Sequence, residues 1–313
     1  MVALEISHPS LSWFSQLSKI AGQAVNRVSP DEINRISPRS SSSLGSPANA
    51  DSVELRSWEN ADIMEQGMAN SCALCYAMPA PAEEELRSLL VERKKVGKFE
   101  EYSLWGENAE VLLVARCEAQ GDQVEIFVPS EDDRPLPRPM ANEPAFVLNA
   151  GADRWVLTSE RCECCEFSPL AKHLCMGACK QDLAHIYHTR ETIGSGSAML
   201  MEVHVPQISD AGNPAIWCRR KSHMNSVHRL PLDSLRPKWS QRLKTLILDF
   251  HGRCRLASSK NFMLRTRSSQ TRAEKDIDLA FGKVEKNSFA LHYKHPLSLI
   301  QAFGIALTTK DWN

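Results

Sequence analysis

Near its end the sequence runs for fourteen residues without a charged side chain: Pro296-Leu-Ser-Leu-Ile-Gln-Ala-Phe-Gly-Ile-Ala-Leu-Thr-Thr309. As a helix, this stretch would be apolar around nearly its whole circumference, and Pro296 suits the first helical position. A helix without a polar face must be buried on all sides, and this one is shorter than the ~20 residues that cross a bilayer. We therefore predict a buried central helix. Its structural residues are Pro296, Leu299, Ile300, Ala302, Phe303, Ile305 and Leu307.

Short β-prone runs separated by turn signals fill most of the sequence before this helix. Turn signals such as Gly121-Asp122 set the runs at the spacing of consecutive antiparallel strands. The runs are 110–118, 123–129, 144–149, 155–159, 199–205, 216–220, 245–250, 261–265, 277–281 and 288–293. This spacing favours a mainly β fold, a barrel or a sandwich. Because small barrels fill themselves with their own side chains, the buried helix indicates a wider, closed barrel with that helix inside it.

Two helices are predicted before the β-rich part. In 12–28, Ser12 can cap a helix whose apolar residues recur every three or four positions. In 83–96, three glutamates at the start and three cations at the end complement a helix dipole. The serine-rich stretch 37–52 is expected to be disordered. We therefore divide the chain into a largely disordered leader (1–82), a helix with a linker (83–107) and a barrel domain (108–313).

Overall charge limits the function classes. The chain has 313 residues, with 37 cationic and 38 anionic side chains and a net charge of −1. That balance excludes a protein that binds nucleic acid through overall positive charge, and no clear nucleic-acid motif is present. No apolar run approaches the length of a membrane span, and the first residues lack the apolar core of a secretory signal. We expect a cytoplasmic protein that is not secreted, with the plasma-membrane surface and the nucleus as further locations.

Three ordered blocks near the end of the chain resemble the C-terminal domain of the tubby family. They are Leu243-Lys-Thr-Leu-Ile-Leu-Asp-Phe-His-Gly-Arg253 followed by Ala257-Ser-Ser-Lys-Asn-Phe262, then Phe281-Gly-Lys-Val284, then Tyr293-Lys-His-Pro-Leu-Ser-Leu-Ile-Gln-Ala-Phe-Gly-Ile-Ala-Leu307. The resemblance implies a closed barrel of about twelve strands threaded by a hydrophobic C-terminal helix. It also implies binding of plasma-membrane phosphoinositides, with a role in signalling or transcription. Many plant members carry an F-box before the barrel, and no F-box-like run is seen in 1–109.

The same resemblance indicates where a lipid headgroup would bind. A bisphosphorylated headgroup needs two or three cations that converge on one pocket. Lys172 stands where the family has the lysine of a Lys-x-Arg strand, whereas Leu174 replaces the arginine and Met199 or Leu200 replaces a cation on a later strand. The expected headgroup contacts are therefore Lys172 with Arg219, Arg220 and Lys221 from a neighbouring strand.

Strand alternation adds a detail to this site. Residues at i and i+2 share one face of a strand, so Arg219 and Lys221 should point together with Trp217, and Arg220 should point away. An indole beside cations suits a membrane interface. The same run, together with Arg253, Arg255, Lys260, Arg265, Arg267 and Arg272, is the largest concentration of cations in the sequence. It is either a contact for an anionic surface or a solvated strand edge.

A second function class stays open at this point. If the replaced cations mean that the lipid pocket has been lost, the chain is a protein–protein adaptor or nuclear regulator. Its protein partner would then bind through the predicted helices at 12–28 and 83–96.

Cysteines and histidines invite a search for metal and catalytic sites. Cys162, Cys164, Cys175 and Cys179 could supply thiolates to zinc, but their spacing is not that of a zinc module. Buried cysteines commonly pack as small apolar residues, which is the interpretation we favour. The histidines lie in no arrangement of known catalytic mechanics. We therefore predict a non-catalytic protein without a cofactor.

Overall fold

The computed structural model describes residues 2–3, 73–119, 121–129, 144–160, 180–210, 212–218, 228–267 and 276–312. Its strands are β1 (Val2–Ala3), β2 (Arg87–Val96), β3 (Phe99–Trp105), β4 (Val111–Glu118), β5 (Gln123–Phe127), β6 (Phe146–Ala150), β7 (Trp155–Ser159), β8 (Gln181–Ile193), β9 (Gly196–Pro206), β10 (Trp217–Cys218), β11 (Arg229–Ser234), β12 (Lys238–Ser240), β13 (Thr245–Ile247), β14 (Phe262–Thr266), β15 (Leu279–Lys283) and β16 (Ser288–Tyr293). One α-helix, α1 (Leu299–Leu307), and short 3-10 helices at Ala73–Ala77 and Thr308–Asp311 complete the described elements.

Twelve of these strands form one closed antiparallel barrel. From β2 to β9, each strand pairs with the next one in the chain, and the ring continues through β11, β14, β15 and β16. Pairing of β16 with β2 closes the ring, with Ser288 opposite Glu92 and Tyr293 opposite Arg87. The closed barrel with a central helix is therefore confirmed.

The predicted helix at 83–96 is wrong, because this stretch contains the strand that closes the ring. Leu89 and Val91 point into the barrel core, while Leu90 packs on the opposite face against Val284 and Ala290. The cationic end does not compensate a helix dipole. Instead, Lys94 and Lys95 lie opposite Glu101 and Glu100 of β3, where unlike charges on adjacent strands attract.

The barrel consequently begins before residue 108. Strands β2 and β3 occupy most of the segment predicted as a helix and linker (83–107), and both belong to the ring. Local charge pattern favoured a helix, but strand pairing on both sides of β2 decided the outcome. Of the leader 1–82, the described residues are 2–3 and 73–82, and the predicted helix at 12–28 lies outside the described part.

Most of the predicted strands are present, while β8 and β11 were missed in addition to β2 and β3. Polar residues fill the second half of β8, so no apolar alternation marks it. Strand β11 contains Pro231, which lowers the expectation of a strand because proline cannot donate to the ladder.

Helix α1 lies inside the barrel, and all nine of its residues are buried. It begins later than predicted, because Ser298 is its N-cap and Pro296 lies before it. The Ser298 hydroxyl accepts a hydrogen bond from the Gln301 backbone amide at 3.3 Å, and the Gln301 side chain accepts one from the Ser298 amide at 2.9 Å. This reciprocal pair satisfies backbone donors that no helical carbonyl can reach.

Wall and helix fit closely where a glycine faces the wall. A Cβ built on Gly304 would lie 2.9 Å from a methyl carbon of Leu157, so a larger residue there would require the Leu157 side chain to shift. The helix and the inward side chains of the ring form one continuous apolar core.

Candidate functional site

The two ends of the barrel differ in the length of their chain connections. Because all ring neighbours are antiparallel, successive connections alternate between the ends. Connections 128–145, 160–180, 207–228 and 267–278 all fall at one end, which we call the loop end. At the opposite end, Gly97–Lys98, 194–195 and 284–287 are tight turns, and the long connection there is 235–261, which contains β12 and β13. Long connections on a rigid scaffold are where binding residues concentrate, so the loop end is the candidate site.

The two segments that carry the predicted headgroup cations join the barrel at neighbouring positions of the loop end. Segment 161–179, which carries Lys172, lies between β7 and β8. Segment 219–227, which begins with Arg219, follows β10. Strand β10 pairs with the start of β8, and Cys218 lies directly opposite Gln181. The described residues that flank both segments therefore lie on adjacent strands.

An ion pair joins the two flanks of the first segment. The Lys180 ammonium lies 2.7 Å from a carboxylate oxygen of Glu160, so the chain returns to the barrel beside the point where it left. Lys180 is thus already matched by a carboxylate. Lys172, Arg219, Arg220 and Lys221 lie outside the described residues, and so do Leu174, Cys162, Cys164, Cys175 and Cys179.

Trp217 does not have the interfacial position expected for it. Its side chain is buried, its indole Nε1 donates to the His228 carbonyl at 3.0 Å, and its ring packs against His185 at 5.1 Å between centroids. His185 in turn lies 3.1 Å from a carboxylate oxygen of Asp182. Trp217 therefore anchors β10 to the barrel rather than contacting a membrane.

Apolar residues at the positions of the family's later cation have structural roles. Met199 is half-buried and packs against the barrel core, whereas Leu200 is buried on the outer side of β9. A charged side chain at Met199 would have to enter apolar surroundings, which is costly without a partner. The surroundings of Met199 therefore favour an apolar side chain at this position.

The basic set named from the sequence is divided by the fold. Lys260 is mostly buried at the end of the central helix, where its ammonium donates to the carbonyls of Thr309 at 2.8 Å, Trp312 at 3.1 Å and Lys310. Burial lowers the pKa of Lys260 to about 8. Lys260 therefore caps the 3-10 helix Thr308–Asp311 that follows α1, and it is not an anion contact.

A groove outside the barrel has a volume of about 1030 Å³. Its floor is the outer face of β8, β9, β11 and β14, where Tyr187, Glu202, Asp233 and Arg265 form a row of cross-strand neighbours. Its rim is the hairpin of β12 and β13, which contributes Trp239 and Ile247, among others. The hairpin belongs to the connection between β11 and β14.

Charges in this groove neutralise one another. Arg267 donates to both carboxylate oxygens of Asp233 at 2.8 and 2.7 Å and to Glu202 at 2.9 Å. These hydrogen bonds raise the pKa of Arg267 further above its usual range. Arg236 donates to Glu191 at 3.0 Å. A polyphosphate would have to displace carboxylates from these cations, so the groove suits a ligand of low net charge. The sequence named Arg267 but gave no sign of its acidic partners, Asp233 and Glu202, which lie far from it along the chain and on neighbouring strands of the barrel.

The described ranges contain neither a cluster of metal ligands nor a membrane-spanning helix. In them, no group of three or more His, Cys, Asp or Glu side chains is placed to hold a metal ion. Cys117 and Cys254 are free, buried thiols, and burial raises the pKa of each to about 11. No helix within the same ranges combines the length and hydropathy that crossing a membrane requires.

These observations define a class of protein, a closed twelve-stranded antiparallel barrel with the last helix of the chain in its bore. A family model described as the Tub family matches residues 152–312, just over half of the chain. The chain therefore belongs to the Tub family, as the sequence blocks in 243–307 indicated.

Curated relatives match mostly over shorter stretches. "Tubby protein homolog 1" from Caenorhabditis elegans is 32% identical over 146 residues, which cover 42% of this chain and 33% of that protein. "Tubby-like F-box protein 11" from Oryza sativa subsp. japonica is 42% identical over 86 residues, covering 26% and 21%. The protein of the same name from Arabidopsis thaliana is 39% identical over 97 residues, covering 28% and 25%. The aligned part spans no more than about a third of the length of each of these relatives.

Proposed function

We propose that this Tub-family barrel is a non-catalytic protein that binds phosphoinositides in acidic membranes through its loop end. The observation that carries this function is the pairing of Cys218 with Gln181. It makes the segment with Lys172 and the segment with Arg219, Arg220 and Lys221 join the barrel on adjacent strands.

Convergence of cations from two segments is what a phosphorylated headgroup requires. Several cations within reach of one anionic group act together, and each contributes about 1 kcal/mol near an acidic leaflet. The apolar residues at Leu174, Met199 and Leu200 remove two cations that the family resemblance implies. Binding by this chain would therefore depend on Lys172 and on the 219–221 run to compensate for them.

Vesicle sedimentation tests this function. The full chain is mixed with vesicles of phosphatidylcholine alone, with added phosphatidylserine, or with phosphatidylinositol bisphosphate at matched total charge. We expect pelleting to be strongest with the bisphosphate lipid. Equal pelleting with all three vesicle types would rule out headgroup recognition, and equal pelleting with the two acidic types would reduce the contact to general charge attraction.

Single substitutions then locate the contact. Lys172→Ala should weaken binding about fivefold, the equivalent of ~1 kcal/mol, and Arg219→Ala should weaken it more than Arg220→Ala if the strand alternation continues. Lys286→Ala is the matched control, because Lys286 is exposed in the tight turn 284–287 at the opposite end of the barrel. A different contact would be indicated if Lys172→Ala had no effect while the double variant Arg219→Ala/Lys221→Ala abolished binding. The lipid would then contact the 219–221 run, and the lysine implied by the family resemblance would have no part in binding.

An adaptor function is the second candidate, and the neutral groove favours it. The groove has a volume of about 1030 Å³, and Arg267 and Arg236 are already paired with carboxylates there. A polypeptide of low net charge fits such a surface better than a polyphosphate does. The predicted helix at 83–96 no longer serves as its docking element, because those residues close the barrel. This function would be favoured if the chain did not pellet with any acidic vesicle but still bound a protein partner.

A further inference from the structure

The β12–β13 hairpin lies outside the barrel ring, against its outer wall. Its strands pair with each other, with Trp239 opposite Leu246, and neither is part of the twelve-stranded ring. The hairpin packs against two glycines at the β8–β9 turn, Gly194 and Gly196. A Cβ on Gly194 would lie 2.4 Å from the Trp239 side chain, and one on Gly196 would lie 3.0 Å from it. The hairpin is therefore held in a fixed position beside the groove.

One edge of β13 is paired with β12, and the other edge carries a segment from the far end of the sequence. Strand β1 (Val2–Ala3) lies parallel to β13, with Val2 opposite Leu246 and Ala3 opposite Ile247. The order of this small sheet is β1-β13-β12, so β1 contacts no other strand within it. Backbone pairing thus brings an extended segment to an edge that would otherwise present unpaired amide and carbonyl groups.

The same hairpin borders the groove. Ile247 of β13 and Leu248 just after it line the groove together with Leu235 and Met263, so apolar side chains lie there beside the charged ones. Its ionic side chains are balanced, with four carboxylates and four cations among the lining residues. Main-chain pairing at an exposed strand, with an adjoining surface for alternate side chains, is how proteins bind extended peptides.

We propose that the outer edge of β13 is a strand-addition site for an extended polypeptide of low net charge, and that the segment beginning at Val2 is its occupant in this chain. The occupant closes the edge in cis. A peptide from another molecule can add to β13 only after Val2–Ala3 has left. This site is separate from the loop end and does not depend on lipid binding.

Hydrogen exchange on the full chain tests the occupant. Proline lacks the amide hydrogen, so Val2→Pro with Ala3→Pro removes both donors of β1, whichever of the two residues faces β13. We expect amide exchange in 245–248 to accelerate about tenfold, because a β1 that cannot donate to β13 detaches, and its carbonyls then no longer accept from the β13 amides. Amides in 238–240 should keep their protection, because β12 still pairs with β13.

A residue exchange provides the matched control. Val2→Ala with Ala3→Val keeps the same two side chains and both amide donors, and should leave exchange in 245–248 unchanged. Unchanged exchange in the proline variant would overturn the cis occupant, and so would equal acceleration in the control.

A peptide added in trans tests the site itself. A synthetic peptide of residues 1–9 should bind the proline variant and restore protection in 245–248, while the wild-type chain should take up much less of it. The same peptide with N-methylated Val2 and Ala3 should not bind. Failure of the unmodified peptide to restore protection, or equal binding of the N-methylated peptide, would refute strand addition at β13.

Discussion

Strands β8 and β9 separate two regions, the bore of the barrel on one side and the groove on the other, whose polar groups are satisfied in different ways. In the bore, Gln301 donates to the Leu183 carbonyl at 2.9 Å, and His188 lies between Thr308 and Trp312 at 3.1 and 3.2 Å. In the groove, Arg267 is nearly half exposed and shares its carboxylate partners with solvent.

The difference shows where polar residues determine the fold. A buried polar group that loses its partner retains the full cost of leaving water, whereas an exposed ion pair exchanges its partner for solvent. Few polar side chains hold the central helix, but each has a specific place. Many charges line the groove, and each contributes little to folding. Substitutions in the bore should therefore affect stability much more than substitutions in the groove.

Placing a charge in the bore should prevent folding. Ala302→Asp or Phe303→Asp puts an unpaired carboxylate at a position with no exposed surface, and we expect soluble expression to be lost. The measurement is soluble yield followed by circular dichroism. Ser197→Asp adds the same charge at an exposed position of β9 and should express normally. Normal yield of either bore variant would contradict the burial of α1.

Removing the buried cap of the helix should be the next largest effect. Lys260→Met leaves three carbonyl groups at the end of the helix without their donor, and we expect the free energy of unfolding to fall by about 3 kcal/mol. Chemical denaturation measures this loss. Lys286→Met removes an exposed lysine and should change the stability by less than about 0.5 kcal/mol. Equal effects of the two substitutions would show that Lys260 is not a cap.

Acid should weaken the bore through His188. Burial lowers the pKa of His188 to about 4 from an ordinary value of 6.5, so between these values the unfolded chain binds a proton that the folded chain does not. The stability contributed by neutral His188 is complete above pH 6.5 and falls as the pH falls towards 4. Between pH 6.5 and 5 the loss should approach about 2 kcal/mol, at ~1.36 kcal/mol per pH unit for one proton.

Comparison with a non-titrating variant isolates this group. In His188→Gln the free energy of unfolding should fall less steeply over the same pH range, while the contributions of other groups, including buried His292, remain. Parallel pH profiles for the two proteins would mean that His188 is not the group responsible.

Breaking an ion pair in the groove should have the smallest effect. Arg267→Gln removes the contacts to Asp233 and Glu202, all of them near the surface, and we expect a loss of no more than about 1 kcal/mol. Added salt should shrink the difference between variant and wild type in thermal denaturation, because it screens exposed charges. A larger loss that salt does not change would remove the contrast between groove and bore.

Composition and pattern were sufficient for the centre of the fold. A charge-free helix in water must be surrounded by other elements, and in a β-rich chain these are strands. The structure buries all nine residues of α1. Strands β7 and β16 begin and end where their apolar patterns predicted, because each lies between turn residues that break pairing locally. The family blocks identify the same region.

Only the tertiary structure decided the outcome at β2, at Lys260 and at Trp217. The charges at the two ends of 83–96 are equally compatible with a helix dipole and with cross-strand pairs. Pairing with β3, which follows directly, and with β16, near the end of the chain, makes this segment a strand. From the sequence, Lys260 is expected to be a surface charge. Its acceptor, the Thr309 carbonyl, lies 49 residues later and comes near it only in the folded barrel. Long-range pairing sets these environments. Sequence by itself therefore determined that the C-terminal helix must be buried, and the closure of the ring determined which other residues, polar ones included, are buried with it.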